Sequence, residues 1–277
     1  MKEKYGIIGY PLGHSLSPYM HSRYNYYLNL DDVYDAYPVK PEYLESSLMR
    51  YREQGINGFN ITIPYKQSII PFLYDIDETS RQTGAVNTLK YTDKGYIGYN
   101  TDVIGLENCI RRHNIVLYDR NVLILGAGGA ARAAAYIAKK SGCKSLYVLN
   151  RTLANAETLC RDFDGYAIDY EHQDSLPEIP FVVIQATCVG MYPEVNHILP
   201  LFEDMFNRFE AAIDVIYNPI NTLFIKKLDK LGIRTVNGFD MLIEQGLASR
   251  SIWKPHEVIN DEIKRMVYDE CLGYSWS

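Results

Sequence analysis

The sequence predicts an α/β protein of two domains, and three observations carry that expectation. At 277 residues the chain exceeds the usual size of one domain. The stretch Asn121 to Ala138, NVLILGAGGAARAAAYIA, reads as a short β-branched strand, a glycine turn and a helix. On both sides of it, strand, loop and helix alternate, the order that builds a sheet covered by helices.

Composition narrows the function classes. A formal net charge of -6 leaves no basic surface of the kind that grips nucleic acid, so a small-molecule ligand fits better. Cys109, Cys143, Cys160, Cys188 and Cys271 stand singly with no CxxC pair, which argues for reduced thiols and against a disulfide or zinc framework. The start, MKEKYGIIGYP, has too brief an apolar run for a signal sequence, and no run reaches membrane-spanning length. A cytoplasmic protein without a metal centre is expected.

Tyr5 to Ile8 reads as the first strand, broken by Gly9 and Pro11, and a helix is expected to start at Ser17 before Pro18. Ser15 and Ser17 at that helix start can together hold a carboxylate, or one can cap the helix while the other faces water. His14 and His21 lack the close helical spacing of zinc pairs and read as loop or packing histidines. Asp35 to Val39 is the second strand. Pro41 to Gln54 is a helix with Tyr43, Leu44 and Leu48 on one face, closed by Gly55. In NGFNITIPYK, Phe59, Ile61 and Ile63 alternate with Asn60 and Thr62 until Pro64 stops the strand just before Lys66. A lysine there either points into a cleft or is a solvated surface charge. A helix near Gln67 to Tyr74 follows, then a hairpin around Asp93 to Gly95, with Asn87 before it and Asn100, Thr101 and Asp102 after it. Asp102 opens or caps a helix from Val103 to His113.

Gly126, Gly128 and Ala131 have the spacing of a dinucleotide-binding turn, although the turn alone suits any tight strand-to-helix connection. The unit continues to a second strand, Leu146 to Leu149, which ends in Asn150 and Arg151. An acid there would bind the ribose hydroxyls of NAD, whereas Arg can pair with the 2′-phosphate of NADP. Further on come the helix LANAETLCRDF, a polar stretch, the strand FVVIQAT, a loop at CVGMYP, the strand AAIDVIYN ending at Pro219, a helix from Thr222 to Leu231 and a short strand from Arg234 to Val236. The tail from GFDMLIEQG reads as amphipathic helices with no strand to add, returning to the first domain.

These segments together resemble the shikimate dehydrogenase family along nearly the whole chain. The family's pattern stands at GYPLGHSLSP (9 to 18), NITIPYK (60 to 66), GAVNT (84 to 88), GYNTD (98 to 102), GAGGAARA (126 to 133), NRT (150 to 152), DVIYNP (214 to 219) and GFDMLIEQG (238 to 246). The resemblance implies an NADPH-dependent, reversible reduction of 3-dehydroshikimate to shikimate on the route to chorismate and the aromatic amino acids. It implies a substrate domain over 1–103 plus 238–277 and a Rossmann-like NADP-binding domain over 104–237. It makes Lys66 and Asp102 the catalytic pair. Ser15 and Ser17 would bind the substrate carboxylate, and Asn60, Thr62, Asn87, Tyr217 and Gln245 the ring and its hydroxyls. Gly126, Ala127, Gly128, Gly129, Ala130 and Ala131 would hold the cofactor's pyrophosphate. Asn150, Arg151 and Thr152 would hold the adenosine ribose and its phosphate, and Thr187, Val215, Gly238 and Met241 the adenine and nicotinamide ends. The expected assembly is a monomer or homodimer, with a cleft between the domains that closes on the substrate.

Three departures from the family's pattern stand out. Asn155 occupies a place where NADP-using members usually carry Lys or Arg, which weakens the expected phosphate clamp. Gln185 and Cys188 stand where Asn and Ser are commoner. Quinate-using and dual-cofactor relatives offer an alternative activity, but serine at both 15 and 17 favours shikimate. A methyltransferase would want an acid where Asn150 and Arg151 stand, and a catalytically silent nucleotide sensor would have lost Lys66 and Asp102.

Overall fold

A computed structural model describes residues 2–13 and 15–274; His14 lies outside the described residues. The chain divides into two compact units, Met1–Gly105 with Ile243–Ser277, and Leu106–Leu242.

The first unit begins β1 (Lys4–Gly9), α1 (Ser17–Tyr27), β2 (Val33–Pro38), α2 (Leu44–Glu53), β3 (Gly58–Ile61), β4 (Asp75–Ile76), α3 (Glu78–Thr83), β5 (Thr88–Thr92) and β6 (Gly95–Tyr99). Its mixed sheet has the order β2-β1-β3-β5-β6-β4. The core on one face includes Ile8, Leu44, Leu48, Phe59, Ile61, Val86 and Leu89. Register gathers one edge of this sheet. β1 and β3 run parallel, so their C-terminal ends coincide, and the antiparallel strands bring Thr88 of β5 against Asn60 and Tyr99 of β6 against Thr88. The segments after β1, after β3, before β5 and after β6 therefore all leave the sheet at the same edge.

Three local expectations give way to the structure. Residues Pro41–Tyr43 form a 3-10 turn before α2, and Tyr43 is exposed rather than on the buried face with Leu44 and Leu48. The strand through 59–63 stops at Ile61, leaving Ile63 exposed. Where a helix was expected over 67–74 there are turns and a 3-10 turn, Ile70–Phe72, because Pro71 has no N–H to continue an α-helix. His21 is a packing histidine. It is buried, stacks on Tyr34 at 4.2 Å, and burial above all holds its imidazole well below the ordinary range.

α4 (Thr101–Arg112) leads into the second unit, which contains β7 (Asn121–Leu125), α5 (Gly129–Lys140), β8 (Ser145–Leu149), α6 (Leu153–Phe163), β9 (Tyr166–Ile168), β10 (Phe181–Gln185), β11 (Phe209–Asp214), α7 (Leu223–Lys230) and β12 (Arg234–Val236). Its sheet, ordered β12-β11-β10-β7-β8-β9, is parallel throughout. The chain runs outward from β7 to β9, then returns beside β7 and runs the other way, so the switch of direction lies between β7 and β10. The apolar runs of β7 and β10 are buried on both faces, as a central parallel strand requires. The polar stretch after α6 hides β9, a three-residue edge strand. β11 ends at Asp214, earlier than AAIDVIYN suggests, and the following residues form a loop.

α8 (Phe239–Trp253) and α9 (Asp261–Leu272) complete the molecule. From Ile243 onward the chain belongs to the first unit. There Trp253 stacks on Tyr5 at 4.6 Å and donates to the Leu89 carbonyl at 2.8 Å. Arg250 grips Glu257 with two bonds, of 2.7 and 2.8 Å, and reaches Asn25 of α1 at 2.9 Å. Among the described residues no helix is long and apolar enough to cross a membrane.

Asp214 is fully buried, and desolvation pushes its carboxyl up from 3.8 to about 6 despite bonds from Thr222 and the Ile216 N–H that favour the charge. The folded state thus holds this proton more tightly than the unfolded chain. The stability it contributes is complete below about pH 4 and is lost as pH rises through about 6, about 3 kcal/mol in all. Urea unfolding of wild type and Asp214→Asn across that window should show the descent in wild type alone; parallel curves would contradict the assignment.

Candidate active site

Lys66 sits in the turn after β3, where Pro64 has ended the strand, and its backbone carbonyl accepts the Val86 N–H at 2.7 Å. Asp102 lies in the first turn of α4. The two are distant in sequence, but the sheet edge joins them: Lys66 Nζ donates to Asp102 Oδ2 at 2.5 Å, with side chains 17% and 5% exposed. A carboxylate this buried needs partners on both oxygens. The second is Asn87, whose Nδ2 donates to Asp102 Oδ1 at 2.9 Å.

Behind this pair lies a buried polar network. Asn87 Oδ1 accepts the Thr101 N–H at 2.6 Å, satisfying a free donor at the start of α4. Asn87 Nδ2 also faces Gln245 Oε1 at 3.4 Å. Asn60 donates to Ser249 Oγ at 2.8 Å and accepts from the Tyr34 hydroxyl at 2.7 Å. Ser249 lies within 2.8 Å of Thr88 Oγ1 and 3.1 Å of Thr101 Oγ1. Thr88, Thr101 and Ser249 were not singled out as site residues from sequence. The two threonines end or interrupt the motifs that carry Asn87 and Asp102, so the signal was available there. Ser249 had none, since nothing in its helix distinguishes it.

The remaining residues expected on the substrate side divide between the units. Ser15 and Ser17 stand at the start of α1, where Ser15 Oγ accepts the Ser17 N–H at 3.3 Å and Ser17 is buried. Thr62 lies beside Gly9, where a β-carbon would fall 2.5 Å from its methyl group, so the loops after β1 and β3 run together. Asn60, Asn87 and Gln245 belong to the network. Tyr217, half-buried, is carried by the second unit in the loop after β11.

In the second unit, every expected cofactor residue except Met241 follows the C-terminal end of a parallel strand. Gly126, Ala127, Gly128, Gly129, Ala130 and Ala131 form the turn from β7 into α5. Gly126 has φ +109° and a β-carbon there would lie 2.9 Å from Thr187, so only glycine fits. Above Gly128 nothing lies within 4 Å, and it caps α5 without a side-chain bond, leaving the first-turn N–H groups open to an anion. Ala131 is buried where helix meets strand. Asn150, Arg151 and Thr152 follow β8; Asn150 Nδ2 bonds the Thr152 carbonyl at 2.8 Å, and Arg151, Thr152 and Asn155 are exposed. Thr187 follows β10, Val215 follows β11 and Gly238 follows β12. Gly238 packs on the Val215 carbonyl too closely for any side chain. Met241 is buried in the first turns of α8. An open glycine cradle at a helix start with an exposed guanidinium beyond the neighbouring strand fits a dinucleotide carrying an extra phosphate.

Comparison with known proteins accords with this geometry. Residues 7–89 match the model of the shikimate dehydrogenase substrate binding domain, and residues 110–188 match that of shikimate / quinate 5-dehydrogenase. A shikimate dehydrogenase (NADP(+)) from Bacillus cereus is 36% identical over 99% of this chain and 100% of its own length. The crystal structure of shikimate dehydrogenase 1 from Peptoclostridium difficile superimposes with TM-score 0.86 at 33% identity, covering 97% of each chain. That of shikimate 5-dehydrogenase from Thermus thermophilus, in complex with NADP(H) and shikimate, gives TM-score 0.83 at 28% identity over 98% of this chain and 100% of that one. With both family models matched in order and full-length relatives above a third identical, the chain belongs to the shikimate dehydrogenase family.

Proposed function

We infer that this chain is an NADP-dependent shikimate dehydrogenase, reversibly reducing 3-dehydroshikimate to shikimate in aromatic amino-acid biosynthesis. The observation that carries the reading is the buried Lys66–Asp102 ion pair at one sheet edge, in a chain that matches such enzymes along 99% of its length. We place the enzyme in the cytoplasm, working as a monomer or homodimer, in keeping with its net charge of -6 and free thiols.

Bound NADPH supplies the hydride. As the ring carbonyl is reduced, negative charge grows on its oxygen, and Lys66 Nζ stabilises that charge and passes a proton to it. Asp102 Oδ2 keeps the ammonium aimed; in the reverse direction the same pair takes the hydroxyl proton. Asn87 fixes the carboxylate's rotation, so Asp102 Oδ1 is engaged while Oδ2 faces the lysine. Ser15 and Ser17 bind the substrate carboxylate at the start of α1, and Asn60, Thr62, Tyr217 and Gln245 line the ring. The turn Gly126 to Ala131 takes the pyrophosphate, and Arg151 with Thr152 the 2′-phosphate. Thr187, Val215, Gly238 and Met241 line the rest of the cofactor.

Purified protein offered shikimate or quinate with NADP or NAD should be most active with shikimate and NADP; inactivity in all four pairings would end this reading. Lys66→Ala should lower kcat by about a hundredfold or more with a small change in KM, since the charge it meets develops mainly in the transition state. Asp102→Asn should also lower kcat, and the double variant should lose far less than the product of the single losses, because both act on one oxygen. Independent losses, or a KM effect alone, would make Lys66 a binding residue.

The cofactor preference rests on one cation. A charge-assisted contact contributes roughly 1.5 to 3 kcal/mol, so Arg151 should favour NADP over NAD by about ten- to a hundredfold. Kinetic constants for both cofactors should show Arg151→Ala losing most of that margin and Asn155→Arg widening it. An Arg151→Ala enzyme that still preferred NADP would locate the phosphate contact elsewhere.

A further inference from the structure

The loop after β11 alternates. Asp214, Ile216 and Asn218 are buried, whereas Val215 and Tyr217 between them are half-exposed. Each buried residue is tied down. The Ile216 N–H donates to Asp214 Oδ1 at 3.0 Å, the Ile216 carbonyl accepts the Gly238 N–H at 3.0 Å, and the Asn218 carbonyl accepts the Tyr192 N–H at 3.0 Å. Thr222, which caps α7 by accepting the Ile225 N–H, donates to Asp214 Oδ2 at 2.6 Å. On the other side, Gln185 Nε2 faces Asp214 Oδ1 at 3.4 Å, while Gln185 Oε1 accepts the Thr187 N–H at 2.5 Å.

One carboxylate therefore joins the loop after β10, the loop after β11 and the start of α7. Among the described residues it forms no ion pair, and its burial is unfavourable at neutral pH. A neutral amide of the same shape would avoid that penalty. What the carboxylate does supply is acceptor-only chemistry: neither oxygen has a proton to offer, so the Ile216 N–H and the Thr222 hydroxyl must both point at it.

We propose that Asp214 is a positioning residue for the dehydrogenase reaction, holding the β11 loop so that Val215 and Tyr217 are presented together, and holding Thr187 in step with them through Gln185. This rests on the reading of Val215 and Thr187 as cofactor contacts and Tyr217 as a substrate contact. Asp214 touches neither ligand. Its loss loosens both kinds of contact at once and leaves the recognition of the 2′-phosphate, which depends on Arg151, untouched.

The test compares wild type with Asp214→Ala, Asp214→Asn, Tyr217→Phe and the Asp214→Ala/Tyr217→Phe double variant. Its readouts are NADPH affinity by fluorescence titration, KM for shikimate, kcat and the unfolding midpoint. Asp214→Ala should weaken NADPH binding and raise KM for shikimate by about tenfold each, the size expected for one lost charge-assisted bond. The NADP-to-NAD ratio of kcat/KM should stay at the wild-type value. Asp214→Asn, which keeps the acceptor for Ile216 and reverses the Thr222 bond, should recover most of the loss. In KM for shikimate the double variant should be less impaired than the product of its singles, because Asp214 acts on that constant through Tyr217. A lowered unfolding midpoint with unchanged constants would overturn the proposal, as would losses that multiply independently. If wild type fails to turn over shikimate while Asp214→Ala still weakens NADPH binding, the assigned reaction falls and the positioning role stands. Should Asp214→Ala not fold, Thr222→Val carries the test: a rise in KM and NADPH dissociation constant of about threefold or more, restored by Thr222→Ser, supports the proposal, and equal constants in all three overturn it.

Discussion

A backbone N–H cannot reverse its role, and the polar edge of the first unit that carries Lys66 and Asp102 depends on that fact. The Thr101 N–H donates to Asn87 Oδ1 at 2.6 Å, so the amide of Asn87 has one orientation and its Nδ2 must face Asp102. A flipped amide would set oxygen against carboxylate and N–H against N–H. The main chain of Asn87 is equally constrained, donating to the Tyr99 carbonyl at 3.0 Å and accepting from the Ile61 N–H at 2.7 Å. One side chain of a residue held between β3 and β6 thus fixes the carboxylate that holds Lys66. Thr88, Thr101 and Ser249 complete the arrangement, since their hydroxyls can donate or accept as each neighbour requires.

The two sheets solve the problem of gathering distant residues in related ways. In the second unit, purely parallel strands bring every β-to-α loop to one end, and the reversal of direction between β7 and β10 sets the Gly126 turn against Thr187. In the first unit β5 alone runs against the other strands, and the hairpin of β5 and β6 reaches the same end by starting and finishing there. The hairpin is what lets Asn87 and Asp102, on either side of it, become neighbours.

Much of this was legible from residues alone, where the signal was local. The strand and glycine turn of β7 and α5, the hairpin at Asp93 to Gly95 and the helix start at Ser17 follow from apolar pattern, turn chemistry and proline placement. The errors also have local causes. The apolar run over 67–74 imitates a helix that Pro71 cannot continue, and the alternation through Ile63 outlasts the ladder, which ends at Ile61. β9 is too short for a period to register, and DVIYN is apolar enough to imitate a strand although Asp214 turns its side chain back onto the next N–H but one. The polar network could not be read at all: Asn60, Asn87 and Ser249 meet through strand register and a returning helix, and no spacing along the chain encodes that.

The return of the chain at Ile243 has a consequence for how the protein is made. The second unit is a single continuous segment, whereas the first is complete only when α8 has been added. Until then Tyr5, Ile7 and Tyr34 lack Trp253, and Asn60 and Thr88 lack the Ser249 hydroxyl. On a translating ribosome the first hundred residues emerge earliest with the core of Ile8, Leu48 and Phe59 complete, but the face of Tyr5, Ile7 and Tyr34 is still uncovered. That face, and the place of Ser249 in the polar network, are filled only when the last helices have left the exit tunnel.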